Sequence, residues 1–266
     1  MILLKTMKKS HLESTLKEGQ FCFNTPSLFN NDGTLAPAQQ DINDSHFPLE
    51  AQHFMYAPIV GKSEKGYKYG QITESNGKAT VHLISKLSAQ TPLCCFRIVE
   101  EREIIHKYGV SFFRLGDIVD RIKEEFNHDA YIIIFDAGTL LERLSNNYQI
   151  CARNVHYGPV DDRFREYADK VGYSQAAMFI KDETFRWQQE FRVIIKPKEL
   201  KERVFVKVGS IESFAYGGDI EELRNGFMFF YDEKQRDEIN SLLQYKKLTL
   251  DEIFSTGEEK HDKPYN

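Results

Sequence analysis

The sequence has little cysteine, little proline and a single tryptophan. Its four cysteines are Cys22, Cys94, Cys95 and Cys151. No pair has zinc-finger or redox spacing, and with so few cysteines a reduced, cytoplasmic setting is the simple reading. No run reaches 18 apolar residues, so no membrane-spanning helix is expected. The opening apolar stretch, Ile2-Leu3-Leu4, is too short for a signal peptide or an anchor. Neither sign of charge dominates: 35 basic residues against 40 acidic ones leave a formal charge of -5. That balance excludes a general attraction to nucleic acid and leaves room only for a local basic cleft. Phosphate-loop, dinucleotide-fold, zinc-protease and serine-hydrolase signatures are all missing. No two of the eight histidines lie three or four positions apart, so no metal site is expected. His156 beside Asp161 and Asp162 is the nearest approach to a ligand cluster, and the same aspartates with Glu190 would be needed for a metal-dependent nuclease.

Aromatic residues, by contrast, are plentiful, with 20 Phe and 13 Tyr. A chain of 266 residues builds a sizeable core without staples. Ser10 and Glu13 have capping-box spacing, which predicts a helix over 11–18 stopped by Gly19. A strand follows over 20–24, ended by Thr25-Pro26. Residues 30–53 read as a long polar loop. Alternation over 67–73 and 79–85 around Asn76-Gly77 predicts a hairpin. Further strands are expected at 93–99, 131–135, 150–156, 188–195, 204–208, 211–216 and 227–230. Helices are expected after Asp117, over 137–144, through Phe164, Tyr167, Ala168 and Val171, and from Asp232 to about Leu243. Interspersed elements with tight hairpins give an α+β class: a mixed, mainly antiparallel sheet with peripheral helices. One domain over 1–254 and a flexible acidic tail over 255–266 are expected.

The stretch Phe185 to Ile195 carries the most chemistry. Read as an extended strand, it places Trp187, Gln189, Phe191, Val193 and Ile195 on one face. Gln188, Glu190 and Arg192 share the other. A carboxylate then sits between an amide and a guanidinium, about 6.5–7 Å from each along the strand. Two readings follow. In the first, Glu190 belongs to an ion pair within the sheet. In the second, it faces a cleft and stabilises an oxocarbenium-like ribosyl centre, with Gln188 orienting the substrate. Arg192 would then bind phosphate or hold Glu190 in place. Arg97, on the 93–99 strand, is placed to face the same cleft. Tyr157 and His156 end a strand, where Tyr157 could stack on a base. The run Glu100-Glu101-Arg102-Glu103 reads as a solvated face.

The order of several short elements resembles the DUF2971-like proteins of bacteria and phages and their abortive-infection-associated relatives. Leu12, Leu16, Gly19, Phe21 and Thr25-Pro26-Ser27-Leu28-Phe29-Asn30 resemble their opening helix, strand and "P..FND" element, with Asn30-Asn31-Asp32-Gly33 departing from it. Cys95-Phe96 resembles their "CF" strand, His106 to Val110 their "H..YG" element, and Val155-His156-Tyr157 their "V.Y" strand. Lys181, Phe185, Gln188, Glu190 and Arg192 resemble their "K...F..E.E.R" signature, with Gln188 where the first Glu is usual. Separately, Gln188-x-Glu190 is similar to the Gln/Glu-x-Glu strand of mono-ADP-ribosyltransferases. That resemblance implies NAD as substrate, Glu190 at its ribose, and a protein or nucleic-acid target. The usual Ser-Thr-Ser strand is missing, and Phe23, Arg97 and His82 are the nearest stand-ins for the early Arg or His. A non-enzymatic interaction protein in phage–host conflict or phage defence is the alternative expectation.

Overall fold

In a computed structural model, residues 1–31, 45–50, 67–75, 78–107, 110–196, 201–229 and 237 are described. The chain begins with β1 (Ile2–Met7), α1 (Lys9–Glu18), β2 (Gln20–Asn24) and α2 (Pro26–Asn31). A small three-stranded sheet follows from β3 (Phe47–Glu50), β4 (Tyr67–Ser75) and β5 (Lys78–Ser85), with β5 in the middle. Next come α3 (Lys86–Gln90), β6 (Leu93–Val99), the hairpin of β7 (Ile104–Lys107) and β8 (Val110–Phe113), and α4 (Ile118–Phe126). The middle of the chain adds β9 (Ala130–Ile134), α5 (Ala137–Ser145), β10 (Gln149–Asn154), β11 (His156–Tyr157), α6 (Asp162–Val171) and α7 (Tyr173–Ala176). The last third supplies β12 (Ile180–Lys181), β13 (Glu190–Lys196), β14 (Arg203–Lys207), β15 (Ala215–Asp219), α8 (Ile220–Asn225) and β16 (Phe227–Phe229).

The main sheet runs β10-β13-β6-β1-β9-β15, every neighbouring pair antiparallel, and β2 joins β14 to the end of β6. The fold is therefore α+β with a mainly antiparallel sheet. Both faces of this sheet are covered, as strict side-chain alternation requires. One face presents Leu3, Met7, Cys94, Phe96, Ile132, Ile134, Phe191, Val193 and Ile195 to a core that α1 and α5 close with Leu12, Leu16, Leu140 and Leu144. The opposite face carries two separate clusters. Leu4, Val99, Tyr131 and Ile133 pack under Val119 and Ile122 of α4 and Ile220 and Leu223 of α8. Leu93 and Ile194 pack under Phe164 and Ala168 of α6 and the segment Ala176–Ile180. β9 is apolar on both faces and buried throughout, since it lies between β1 and β15 with a cluster on each side.

Several expectations are corrected. α1 starts at Lys9, and Lys8 makes no side-chain cap, so Ser10 and Glu13 sit inside the helix. Asp117 precedes α4 but has helical backbone and caps nothing with its side chain. The predicted loop contains a strand, β3, which pairs with β5. The expected strand at 211–216 begins only at Ala215, because Ile211 turns inward to the core. A short helix, α8, was not anticipated, although Asp219 and Glu222 form a reciprocal capping box that the sequence displays. The expected strand over 150–156 breaks at Val155, and His156-Tyr157 pairs separately with Ile180-Lys181 in parallel. The Asn76-Gly77 turn, the helix after Asp232 and the tail from 255 lie outside the described residues.

Gly19 ends α1 in the left-handed conformation, with φ of 60°. A Cβ there would stand 2.2 Å from the Gly209 carbonyl oxygen and 2.6 Å from a Val208 methyl. Both the conformation and the contact require glycine. Gly19→Ala is expected to lower stability by about 2–3 kcal/mol, read from urea unfolding. A loss under about 0.5 kcal/mol, the range of a neutral surface change, would contradict this packing.

Candidate functional site

The parallel pair of β11 and β12 sets Tyr157 opposite Lys181. The chain then turns at Asp182, whose carboxylate accepts the Thr184 N–H at 2.9 Å. A 3-10 segment over Glu183–Gln188 leads to Gln189, which is left-handed at φ 45° and ψ 49°. Only at Glu190 does β13 begin. The strand expected from Gln188 is thus shortened, and its alternation holds from Glu190 onward. Phe191, Val193 and Ile195 face the main core as expected. Trp187 does not join them; it packs against Phe126 on the other side of the sheet, with the Arg121 guanidinium 4.1 Å from its ring centroid. Gln188 still arrives beside Glu190, brought there by the turn rather than by the strand. The Lys181 ammonium donates to Gln188 Oε1 at 2.8 Å and to Glu190 Oε1 at 3.3 Å.

Glu190 is held on its other oxygen as well. Arg192 Nε and Nη2 approach Glu190 Oε2 at 2.9 and 2.8 Å, and Arg192 Nη1 donates to the Met178 carbonyl at 2.9 Å. Arg192 is 0% exposed, the Lys181 side chain 4% and Glu190 11%. The backbone is also fixed, since Glu190 N–H donates to the Tyr157 hydroxyl at 2.7 Å and Val155 N–H donates to the Glu190 carbonyl at 2.9 Å. Burial, and then the Glu190 charge, push the Tyr157 phenol well above its ordinary range, so it stays protonated at neutral pH.

Glu190 forms part of the wall of a cavity of about 170 Å³. The cavity opens where strand pairing stops. β1 and β6 are paired from Ile2↔Val99 to Leu4↔Arg97, and β2 meets β6 only at Asn24↔Leu93. Into the gap between those contacts project Lys5, Thr6, Cys22, Asn24 and Cys95, with Phe96, Ile118, Ile122, Phe126 and Trp187 as apolar walls. The Lys5 ammonium donates to the Cys95 carbonyl at 2.9 Å. His128 shares a 2.8 Å hydrogen bond with Thr6, and burial together with the charge of Lys5 pushes its pKa down to about 3. Among the described residues, three buried N–H groups on the cavity's side chains have no hydrogen-bond partner: Arg97 Nε, Trp187 Nε1 and Gln188 Nε2.

The remaining sequence candidates fall in different places. Arg97 lines the cavity opposite Glu190 in the strand register, but its guanidinium is bound to Glu103 and to the Trp187 carbonyl, both at 2.5 Å. Glu103 therefore departs from the solvated face expected of that run. Arg192 is not among the residues lining the cavity; it is fully buried and paired with Glu190. Tyr157 supports the Glu190 backbone. His156 lies outside the cavity walls, stacked on Phe164 at 4.7 Å and bonded to the Pro159 carbonyl at 2.7 Å. Asp161 is spent on capping α6 through the Phe164 N–H. No three metal-ligating side chains gather among the described residues. Phe23 is in the main core, and the His82 side chain lies outside the described residues. Lys5 and His128 were missed, although a lysine inside the apolar strand Ile2–Met7 is a visible signal.

One arrangement imitates a hydrolase relay. His106 bonds Glu101 at 2.8 Å and Ser111 at 2.9 Å. Ser111 is 0% exposed, so its hydroxyl cannot reach a substrate. The four cysteines form no disulfide. Burial raises the thiol pKa values of Cys22 and Cys94, which disfavours thiolate chemistry there. No helix among the described residues is long and apolar enough to cross a membrane.

Two measurements check this geometry. Arg192→Met takes a buried guanidinium away from the buried Glu190 carboxylate, and should cost about 3–5 kcal/mol in urea unfolding. The second concerns acid. Native His128 stays neutral down to about pH 3, while the unfolded chain protonates it near its ordinary 6.5. Unfolding therefore takes up a proton between those values, so this contribution to stability is lost as pH falls from about 6.5 toward 3. His128→Gln should flatten the stability profile in that window; an unchanged profile would contradict the assignment. The chain matches no protein-family model, no curated protein and no solved structure, so neither a fold family nor an activity comes to it by relationship.

Proposed function

We propose that the cavity is the site of a ribosyl-transferring enzyme of the ADP-ribosyltransferase-like kind, acting on NAD or a related nucleotide, with Glu190 as the carboxylate that meets the ribose. The observation that carries this reading is a carboxylate fixed on both oxygens, in a cavity wall, beside unpartnered donors. A cavity near 150 Å³ holds a benzene-sized ring, so about 170 Å³ takes one ring of a nucleotide and leaves the remainder outside. In the reaction, the bond from C1′ to the ring nitrogen breaks and its electron pair leaves with the base. Positive charge grows on the ribose, and a carboxylate already held in place stabilises it without reorganisation. A nucleophile on a protein or nucleic-acid target then forms the new bond to C1′ and loses its proton. Gln188, with its oxygen bound to Lys181, keeps its N–H donors for a hydroxyl or carbonyl of the substrate.

The test is NAD labelled on its adenylate half, incubated with the protein and with cell lysate. Label transfer or NAD cleavage is expected, and it should fall at least ~100-fold in Glu190→Gln. Because that change leaves Lys181 and Arg192 without their anion, Glu190→Asp runs alongside, and both are checked for folding by circular dichroism and a melt. A folded Glu190→Asp variant with undiminished turnover would remove Glu190 from the chemistry. Absence of turnover in the native protein would instead favour a non-enzymatic partner in phage–host conflict or phage defence.

A further inference from the structure

The hydrogen-bonding groups of the cavity wall are unevenly spent. Its side-chain oxygens are engaged within the protein. Asn24 Oδ1 accepts the Cys22 thiol at 3.3 Å and Arg203 Nε at 3.1 Å. Gln188 Oε1 accepts Lys181, both Glu190 oxygens are bonded, and Thr6 Oγ1 shares its hydrogen bond with His128. Among the described residues, the buried polar groups of the wall that are left over are all donors: Arg97 Nε, Trp187 Nε1 and Gln188 Nε2. Gln188 is 6% exposed and Arg97 9%. The three donors belong together, because Trp187 and Gln188 are consecutive and Arg97 Nη1 donates to the Trp187 carbonyl at 2.5 Å. Nor can the amide swap its ends to hide its donor. An ammonium only donates, so Lys181 fixes which end of the Gln188 amide is oxygen. A buried donor left unmade costs the desolvation of its group. The complement to all three is an acceptor that brings no hydrogen of its own.

We propose that the cavity receives an uncharged planar heterocycle with a ring carbonyl, which accepts from Trp187 Nε1 and Gln188 Nε2 while the ring lies against Ile118, Ile122 and Phe126. A carbonyl oxygen has two lone pairs and so meets two donors at once. The size agrees, since about 170 Å³ exceeds the roughly 150 Å³ that takes benzene. A ring with an N–H on the same edge is rejected, because donor would meet donor. The proposal rests on the cavity being the ligand site, as in the ribosyl reading, but not on NAD being the substrate.

Trp187 is the only tryptophan, so 15N-labelled protein gives one indole N–H signal, and it belongs to one of the three donors. The native chain is titrated with three rings of one shape, all uncharged at neutral pH. N-methyl-2-pyridone offers a carbonyl and no donor, o-toluidine an amine donor, and o-xylene neither. The pyridone is expected to saturate about tenfold more tightly than either of the others, or better, and to move the indole proton downfield as it becomes hydrogen-bonded. Gln188→Glu keeps an oxygen for Lys181 and replaces the Nε2 donor by an acceptor. It should weaken the pyridone by about tenfold or more and leave o-xylene unchanged. Trp187→Phe, followed on the ligand's own signals, removes the Nε1 donor and keeps an apolar ring. It should act in the same direction, and it carries the test if Gln188→Glu does not fold. Affinity for o-toluidine or o-xylene equal to that for the pyridone, saturation that leaves the indole proton unmoved, no saturable response to any ring, or pyridone affinity unchanged in the folded variants would each overturn the proposal. Pyridone binding without NAD cleavage would remove the ribosyl reading and keep this one, while NAD cleavage with no preference for the pyridone would do the reverse.

Discussion

The buried triad of Lys181, Glu190 and Arg192 is the interaction on which the rest of this site depends. Desolvating each ion costs several kcal/mol even after relaxation, and only close pairing offsets that cost. Here the pairing is close on both carboxylate oxygens, and the Arg192 guanidinium also donates to the Met178 carbonyl. With Gln188, which accepts from Lys181, the triad also ties three separate pieces of chain together. Lys181 comes from a two-residue strand, Gln188 from a 3-10 turn, and Glu190 and Arg192 from the main sheet. A strand with three large apolar residues in the core on its reverse face provides the anchorage, at about 1.5–3 kcal/mol for each buried side chain.

The second constraint is the way the main sheet opens. Antiparallel pairing buries backbone polar groups by satisfying them, so a gap between β1 and β6 must be filled by something polar. Lys5 fills part of it by donating to Cys95. The clusters on this face lie to either side, one under α4 and α8 and the other under α6, and the cavity is the space between them. α4 forms one wall, and its position is set by Val119 and Ile122 in the core, with Arg224 of α8 bonded to Asp120 at its surface. The exposed ion pair adds little energy; the packed apolar face is what holds the wall.

Local patterns were legible wherever one physical rule acted alone. The strand Leu93–Val99, the two strands around Asn76-Gly77, the helix stop at Gly19 and the apolar face of Phe191, Val193 and Ile195 follow from alternation and backbone preference. Capping was less legible. Ser10 and Glu13 have the right spacing but lie within a helix, whereas Asp219 and Glu222 do form the box. Three-residue spacing recurs by chance, and only the incoming chain direction decides which instance becomes a terminus. The loop expected over 30–53 shows the same limit: Phe47 becomes a core residue of a strand because α6 and β5 lie against it, and neither neighbour is local in sequence.

What the sequence by itself determined was the α+β class, most strand and helix identities, and the residue types at 188–192, because these depend on side-chain period and composition over short stretches. It also placed Gln188, Glu190 and Arg192 on one side, though for Gln188 through a different geometry than a strand. Tertiary structure decided which partner each charge would have. Lys181 reaches Glu190 through a parallel pairing of two-residue strands, Arg97 is taken by Glu103, and Lys5 enters the cavity because two strands part. Ion-pair partners and cavities are set by distances between segments far apart in the chain, and no local period encodes those distances.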